Sequence, residues 1–492
     1  MGGLLGDGFR FGVATAGFQV EGGFNGPCEP RNNWYEWEAA GKVEPSGIAV
    51  DFWNDYERHL DRAASTGVDS YRLSIEWARC EPAEGRIDEE AFERYMAILE
   101  ASRARGMEPL VTLHHFTHPV WLGTDFWTRS DSPERFKGWV ETALERLHGH
   151  CESWVTINEI NILALMSFVL GAFPPGRRLD GASARRAADH LLTAHVLAYE
   201  AVKLRQPRSV VGTNNCSFSL YELDRIMTDV LCLRAHGVRR DDAAAWLDER
   251  RARWETSPPG LGVPRSDGAS PRRHPVLEKL LRRAGRWLIE PERTFPRALE
   301  AVYASAYERT LDVAQLDYYD PETASHLQVP FSRSAGGRWP LPQRPLWDDP
   351  PNPPGLAAYA AANTEAGIPV LIVENGLCNR VRQGRSYPRL DGWNRRRYLA
   401  ENLAALVGAA DGGVPVAGYW HWSLADNYEW GSYEPRFGLF GVDRARGLRW
   451  SDRDSMGDDA AGAYRRLIEA IRAGDREALA QLAASPLRHG DD

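Results

Sequence analysis

The feature that most constrains this chain is a rhythm. Eight short runs rich in β-branched and aromatic residues recur along it, separated by longer segments whose apolar residues keep helical spacing. The runs are "RFGVATA" (10–16), "SYRLSIEW" (70–77), "EPLVTLHHF" (108–116), "SWVTINE" (153–159), "SVVGTNNCSF" (209–218), "VAQLDYY" (313–319), "PVLIVEN" (369–375) and "VAGYWHWSL" (416–424). Clear helical patterns fall at 88–106, 133–150, 184–206 and 394–413, several of them ending in glycine before the next run. Strands joined through helices must lie parallel, because a parallel pair needs a long crossover. Eight such units predict a closed (β/α)8 barrel of the TIM type with long βα loops at its C-terminal face. The expected organisation is a single barrel domain over residues 1–475, followed by a C-terminal tail, 476–492, as a surface helix with a frayed end.

Two stretches interrupt the rhythm. Residues 221–312 are weakly patterned and contain "TSPPGLGVPRSDGASP" (256–271), and "FSRSAGGRWPLPQRPLWDDPPNPPG" (331–355) precedes the seventh run. Both read as βα insertions over the barrel mouth. The arginine-rich "GVRRDDAAAWLDERRARW" (237–254) is interleaved with acids, as on a solvated helix face.

The net charge of −9 argues against nucleic acid as a partner, which would need a clustered positive surface. Six scattered cysteines make neither a disulfide framework nor a zinc site, so free thiols are expected. No metal-ligand spacing and no phosphate-cradling glycine loop occur, so neither metal nor cofactor is expected. The N-terminal "MGGLLGDGFRFGVAT" lacks a basic stretch and a long apolar core, and "ILALMSFVLGAF" (162–173) is too short to span a bilayer. The expectation is a soluble, cytoplasmic protein without a membrane partner, compatible with a monomer or a homo-oligomer.

Polar residues cluster at the C-terminal ends of the runs, the face where barrel enzymes build their sites. The fourth run ends in Asn158-Glu159 and the seventh in Glu374-Asn375. One glutamate at a strand end is as often a cap or an arginine partner as a catalytic group. Two at one mouth make the pair that glycosidic cleavage requires, one carboxylic acid and one carboxylate. Around them, Gln19 follows the first run, His115 ends the third, and "HWSLADNYEW" (421–430) brings Trp422, Glu429 and Trp430 together. Flat indoles and bidentate polar groups suit a sugar ring.

These pieces carry a resemblance. "FGVATAGFQVEGG", "YRLSIEWAR", "TINE", "IVENG", "WSLADNYEW" and "RFGLFGVD" together resemble glycoside hydrolase family 1, the β-glucosidase family of retaining enzymes on one (β/α)8 barrel, from about Phe9 to about Trp450. The resemblance implies Glu159 as acid/base and Glu374 as nucleophile. It implies that Gln19, His115, Asn158, Glu429 and Trp430 hold the hydroxyls of a small glycoside, with Trp422 as floor. Arg72 and Tyr319 would contact the nucleophile and help keep it ionised. The sequence departs from the family pattern at Ile160, where proline is usual; at Phe116, where tryptophan is usual; at Asp317, where asparagine is usual; and over about 209–312. A third carboxylate at Asp317 is expected to raise the pKa of a neighbouring one. Two further readings accompany the glycosidase: a lyase or dehydratase using the same acid/base pair on a related metabolite, and a non-catalytic binding barrel.

Overall fold

In a computed structural model of the chain, residues 3–264, 279–280, 283, 290–319, 351–365, 367–382, 385–389 and 391–484 are described. The strands are β1 Arg10–Ala14, β2 Ser70–Ser74, β3 Glu108–Thr112, β4 Ser153–Val155, β5 Val210–Gly212, β6 Asn214–Cys216, β7 Ala314–Tyr318 and β8 Val370–Asn375. A small hairpin, β9 Arg380–Arg382 and β10 Arg385–Tyr387, precedes β11, Val416–Trp422. The main sheet runs β5-β4-β3-β2-β1-β11-β8-β7-β6, and every pair in it is parallel. Its two ends are halves of one predicted strand. The fifth run breaks at Thr213, so β5 pairs with β4 while β6 pairs with β7. The ring thereby closes with eight strand positions, as the rhythm predicts.

The predicted helices appear as Glu89–Ala104, Ser132–Leu147, Gly181–Arg205 and Arg395–Asp411. The expected amphipathic logic holds in Ser132–Leu147, which buries Phe136, Trp139, Val140, Ala143, Leu144 and Leu147. Trp139 stacks on Trp77 at 5.5 Å between ring centroids. Inside the barrel a separate apolar plug gathers Leu110, Val155, Val313, Leu371, Val373 and Trp420. Gly12 and Gly418 flank the Trp420 indole, and a Cβ on either would lie within 2.4 Å of it. Side chains there would collide with the plug.

Three expectations change. The fourth ladder stops at Val155, not Glu159, although Asn158 N–H still donates to the His114 carbonyl at 2.8 Å. The arginine-rich helix, Ala243–Thr256, is not simply a solvated face. Arg251 is buried and donates to Glu222 at 2.8 Å, and Arg250 reaches Asp229 and Glu365. The described part of the 221–312 segment lies partly on the barrel's outside. Its helix Pro296–Ala304 packs on Gly181–Arg205, with the Ala298 N–H donating to Asp189 at 2.9 Å. Residues 265–271 and 331–350 of the proposed insertions, and 485–492 of the tail, lie outside the described residues. The helix Arg476–Ala484 rests on Arg395–Asp411 and pairs Arg476 with Asp411. All six cysteines are free, and no helix among the described residues is long and apolar enough to cross a membrane.

Candidate active site

Glu374 is delivered by the C-terminal end of β8, as its next-to-last residue. The residue after it locks that strand end: Asn375 donates to the Tyr318 carbonyl and the Tyr398 hydroxyl, both at 2.7 Å, and accepts from the Tyr419 hydroxyl at 2.8 Å. Gly376 follows because a Cβ there would lie 2.0 Å from the Trp422 carbonyl oxygen. The short "ENG" motif is thus a carboxylate, its anchor and a close backbone approach.

Glu159 is aimed differently. It stands at φ 42°, ψ 64° as N-cap of the helix Ile160–Phe168. Proline after it would push Glu159 toward extended backbone. Isoleucine removes that restriction, and the left-handed conformation uses the freedom. The expectation of a glutamate ending a strand is corrected to a glutamate at a strand-to-helix turn.

The two carboxyls meet at the mouth, and Asp317 joins them. Oxygens of Glu159, Asp317 and Glu374 all lie within 4.8 Å of one another, and all three residues are buried. This is the group of acidic side chains among the described residues close enough to bridge a cation. Asp317 arrives through sheet register, since β7 pairs it with Glu374 of β8 after a register shift at Leu316.

Their partners differ. Glu374 accepts from Arg72 at 2.6 Å and from the Tyr319 hydroxyl at 2.8 Å, as the sequence predicts. Burial nevertheless outweighs both contacts and raises its pKa. Each nitrogen of Arg72 has a partner: Nε donates to Thr112, Nη1 also to the Val373 carbonyl, and Nη2 to Asn158 at 2.5 Å. Burial, then repulsion from Glu374, pushes Glu159 up to about 8, opposed by hydrogen bonds to Asp317 and Cys216. Burial followed by repulsion from Glu374 and Glu159 drives Asp317 well above the usual carboxylate range.

The sugar-facing candidates assemble beside this pair. Gln19 Nε2 donates to Glu429 at 3.0 Å and to the Tyr428 carbonyl at 2.7 Å, while its carbonyl oxygen has no partner. Trp422 donates its indole N–H to the other Glu429 oxygen at 3.0 Å. Burial raises Glu429 to about 8. The His115 ring lies nearly parallel to both Trp422 and Trp430, with centroids 6.0 and 5.8 Å away, and burial holds it well below the usual histidine range. Phe116 is buried against Phe173 and Trp430 and offers that wall no donor.

Sequence reasoning passed over Asn214 and Cys216. Asn214 Nδ2 donates to Asn158 at 2.9 Å and to Asp317, and the Cys216 thiol bonds Glu159. Their signal was the polar "NNC" at the end of the fifth run, the same rule that marked the other strands.

A parallel eight-position barrel with paired carboxyls, indoles and amides at its mouth is the architecture of a sugar-processing enzyme. The model of glycosyl hydrolase family 1 matches residues 2–236 and 353–467, and the chain belongs to that family. The stretch outside it therefore begins at 237 rather than 209. The β-glucosidase of Agrobacterium sp. is 28% identical over 457 residues, covering 88% of this chain and 90% of its own. The β-galactosidase of Sulfolobus acidocaldarius is 26% identical, covering 89% and 90%. A solved β-glucosidase from Thermotoga maritima in complex with noeuromycin superposes with a TM-score of 0.68 at 22% identity, covering 94% of this chain and 98% of that one, which bears out the barrel fold.

Proposed function

We propose that the protein is a retaining, β-glucosidase-like enzyme that hydrolyses a small β-glycoside by double displacement. The observation that carries this is the carboxyl spacing, with oxygens of Glu159 and Glu374 within 4.8 Å. Retaining enzymes hold the two groups about 5–5.5 Å apart, whereas inverting ones need about 6.5–9.5 Å to admit a water.

The division of labour follows the partners. Glu374, contacted by Arg72 and Tyr319, attacks the anomeric carbon. Glu159, raised to about 8, keeps its proton near neutral pH and gives it to the departing oxygen. A water then loses a proton to Glu159, attacks the glycosyl ester and releases Glu374. Asn158, held by Arg72 and Asn214, presents its amide to the 2-hydroxyl. Gln19, His115, Glu429 and Trp430 take the remaining hydroxyls over the Trp422 floor. The Glu429 carboxyl, bonded by Gln19 and Trp422, offers a phosphate no positive partner, so the reading favours a sugar with free 4- and 6-hydroxyls. Residues 1–475 form the catalytic unit in this reading, and the enzyme is cytoplasmic, where six unpaired thiols stay reduced. Cell fractionation tests the location.

The decisive experiment is a panel of aryl β-glycosides together with a 2-deoxy-2-fluoro glycosyl inactivator and peptide mass analysis. Turnover and a covalent label on Glu374 are expected. A panel without turnover and a Glu374 peptide of unchanged mass would overturn the reading.

A further inference from the structure

Asp317 is fully buried, yet the cation nearest the carboxyl cluster does not pair with it. Every nitrogen of Arg72 already donates elsewhere: to Thr112, the Val373 carbonyl, Glu374 and Asn158. One Asp317 oxygen accepts from Asn214, and the other finds no donor. On one side Asp317 stands in register with Glu374. An oxygen of Asp317 also lies within 4.8 Å of one on Glu159 and one on Glu374, and three buried carboxyls this close cannot all be ionised.

Building on the glycosidase reading, we propose that Asp317 is a positioning residue that acts as a neutral carboxylic acid, donating its proton in a hydrogen bond to Glu159. The bond steadies the acid/base at its left-handed turn. It also stabilises the carboxylate that Glu159 becomes when its proton passes to the leaving oxygen; no proton leaves Asp317 in that step. Asp317 is assigned as the donor because one of its oxygens has no other partner, whereas the proton of Glu159 is needed at the leaving oxygen. The titratable and charged groups facing it are Glu159, Glu374, Arg72, Cys216 and Tyr319. The first two oppose ionisation of Asp317, and Arg72 favours it.

The test compares wild type, Asp317→Asn and Asp317→Ala by kcat/KM against pH on two aryl β-glycosides. One has a poor leaving group that needs protonation; the other is a 2,4-dinitrophenyl glycoside that does not. With the poor leaving group, the alkaline limb of the wild type steepens to two ionisations. Asp317→Asn keeps a donor that cannot titrate, so its limb falls as one ionisation. Asp317→Ala loses the donor and falls about 10- to 100-fold on the poor leaving group, yet less than about threefold on the dinitrophenyl glycoside. Superimposable wild-type and Asp317→Asn limbs overturn the proposal. So does an equal loss on both substrates, which marks a structural role, or a wild-type loss with EDTA restored by a divalent cation, which marks a metal bridge. Absence of wild-type turnover on both substrates would instead defeat the glycosidase reading itself.

Discussion

Two buried aspartates, both 0% exposed, show opposite electrostatics. Asp229, in the helix Ile226–Cys232, accepts from Arg225 and Arg250 at 2.8 Å each and from the Tyr221 hydroxyl at 2.9 Å. Burial pushes its pKa up, but the two arginines outweigh that and hold it below the usual value. Asp317 at the mouth has neighbours of its own sign, and the single arginine nearby is spent on Glu374, so burial prevails and its pKa rises. Depth alone does not set the charge of a carboxyl; the count of uncommitted cations does. The balanced cluster, extended by Glu365 bound to Arg225, Arg250 and His236, holds structure together. The unbalanced one favours protonated carboxyls at the barrel mouth.

The comparison is broken most severely at Glu374, the proposed nucleophile. Glu374→Ala is expected to lower kcat by roughly 10⁴- to 10⁶-fold on an aryl β-glycoside, the scale seen when a covalent nucleophile is deleted. Its thermal transition should fall as well, because the deletion leaves the fully buried Arg72 without its carboxylate partner.

Stability should separate the two aspartates. Asp229→Asn leaves Glu365 as the acid still paired with both Arg225 and Arg250, and should cost about 3–5 kcal/mol, read from the fall in urea midpoint. The same change at Asp317 removes no ion pair, and its midpoint should fall by less than about 1 kcal/mol or rise.

Their pH dependence should run in opposite directions. Asp317's folded-state pKa lies above its unfolded value of 3.8, so its contribution is greatest below that value and declines as pH rises. Asp317→Asn should therefore gain stability relative to wild type as pH rises above 3.8. Asp229's pKa is lowered, so its contribution is present above 3.8 and lost as pH falls through the folded value. The Asp229→Asn penalty should shrink in acid. Parallel trends in urea titrations at several pH values would contradict the contrast.

The smallest effect belongs to the sugar wall. Gln19→Ala removes one amide that bonds Glu429 and should cost about 1–3 kcal/mol in kcat/KM, carried mostly by KM. A change below twofold would remove Gln19 from the binding set.

Much of this was legible in one dimension. Alternating strand and helix patterns determine a parallel closed sheet, because each apolar run must be buried on both faces and each crossover must be a helix. The polar strand ends located the mouth, and Glu159, Glu374, Gln19, His115, Trp422 and Glu429 were nameable from it. The sequence also held the substitution of Asp317 for asparagine, but not its consequence. That depends on a register shift at Leu316, on Thr213 splitting a strand so that Asn214 faces inward, and on where the three nitrogens of Arg72 are spent. Of the arginines of 237–254, Arg239 and Arg253 are exposed as on a solvated face, whereas Arg250 and Arg251 turn toward Asp229, Glu365 and Glu222; composition counts charges, but only the packed chain shows which acids face them. Local pattern determines which elements form, whereas the charge on a buried carboxyl depends on groups brought together from five strands, and only the tertiary structure decides that.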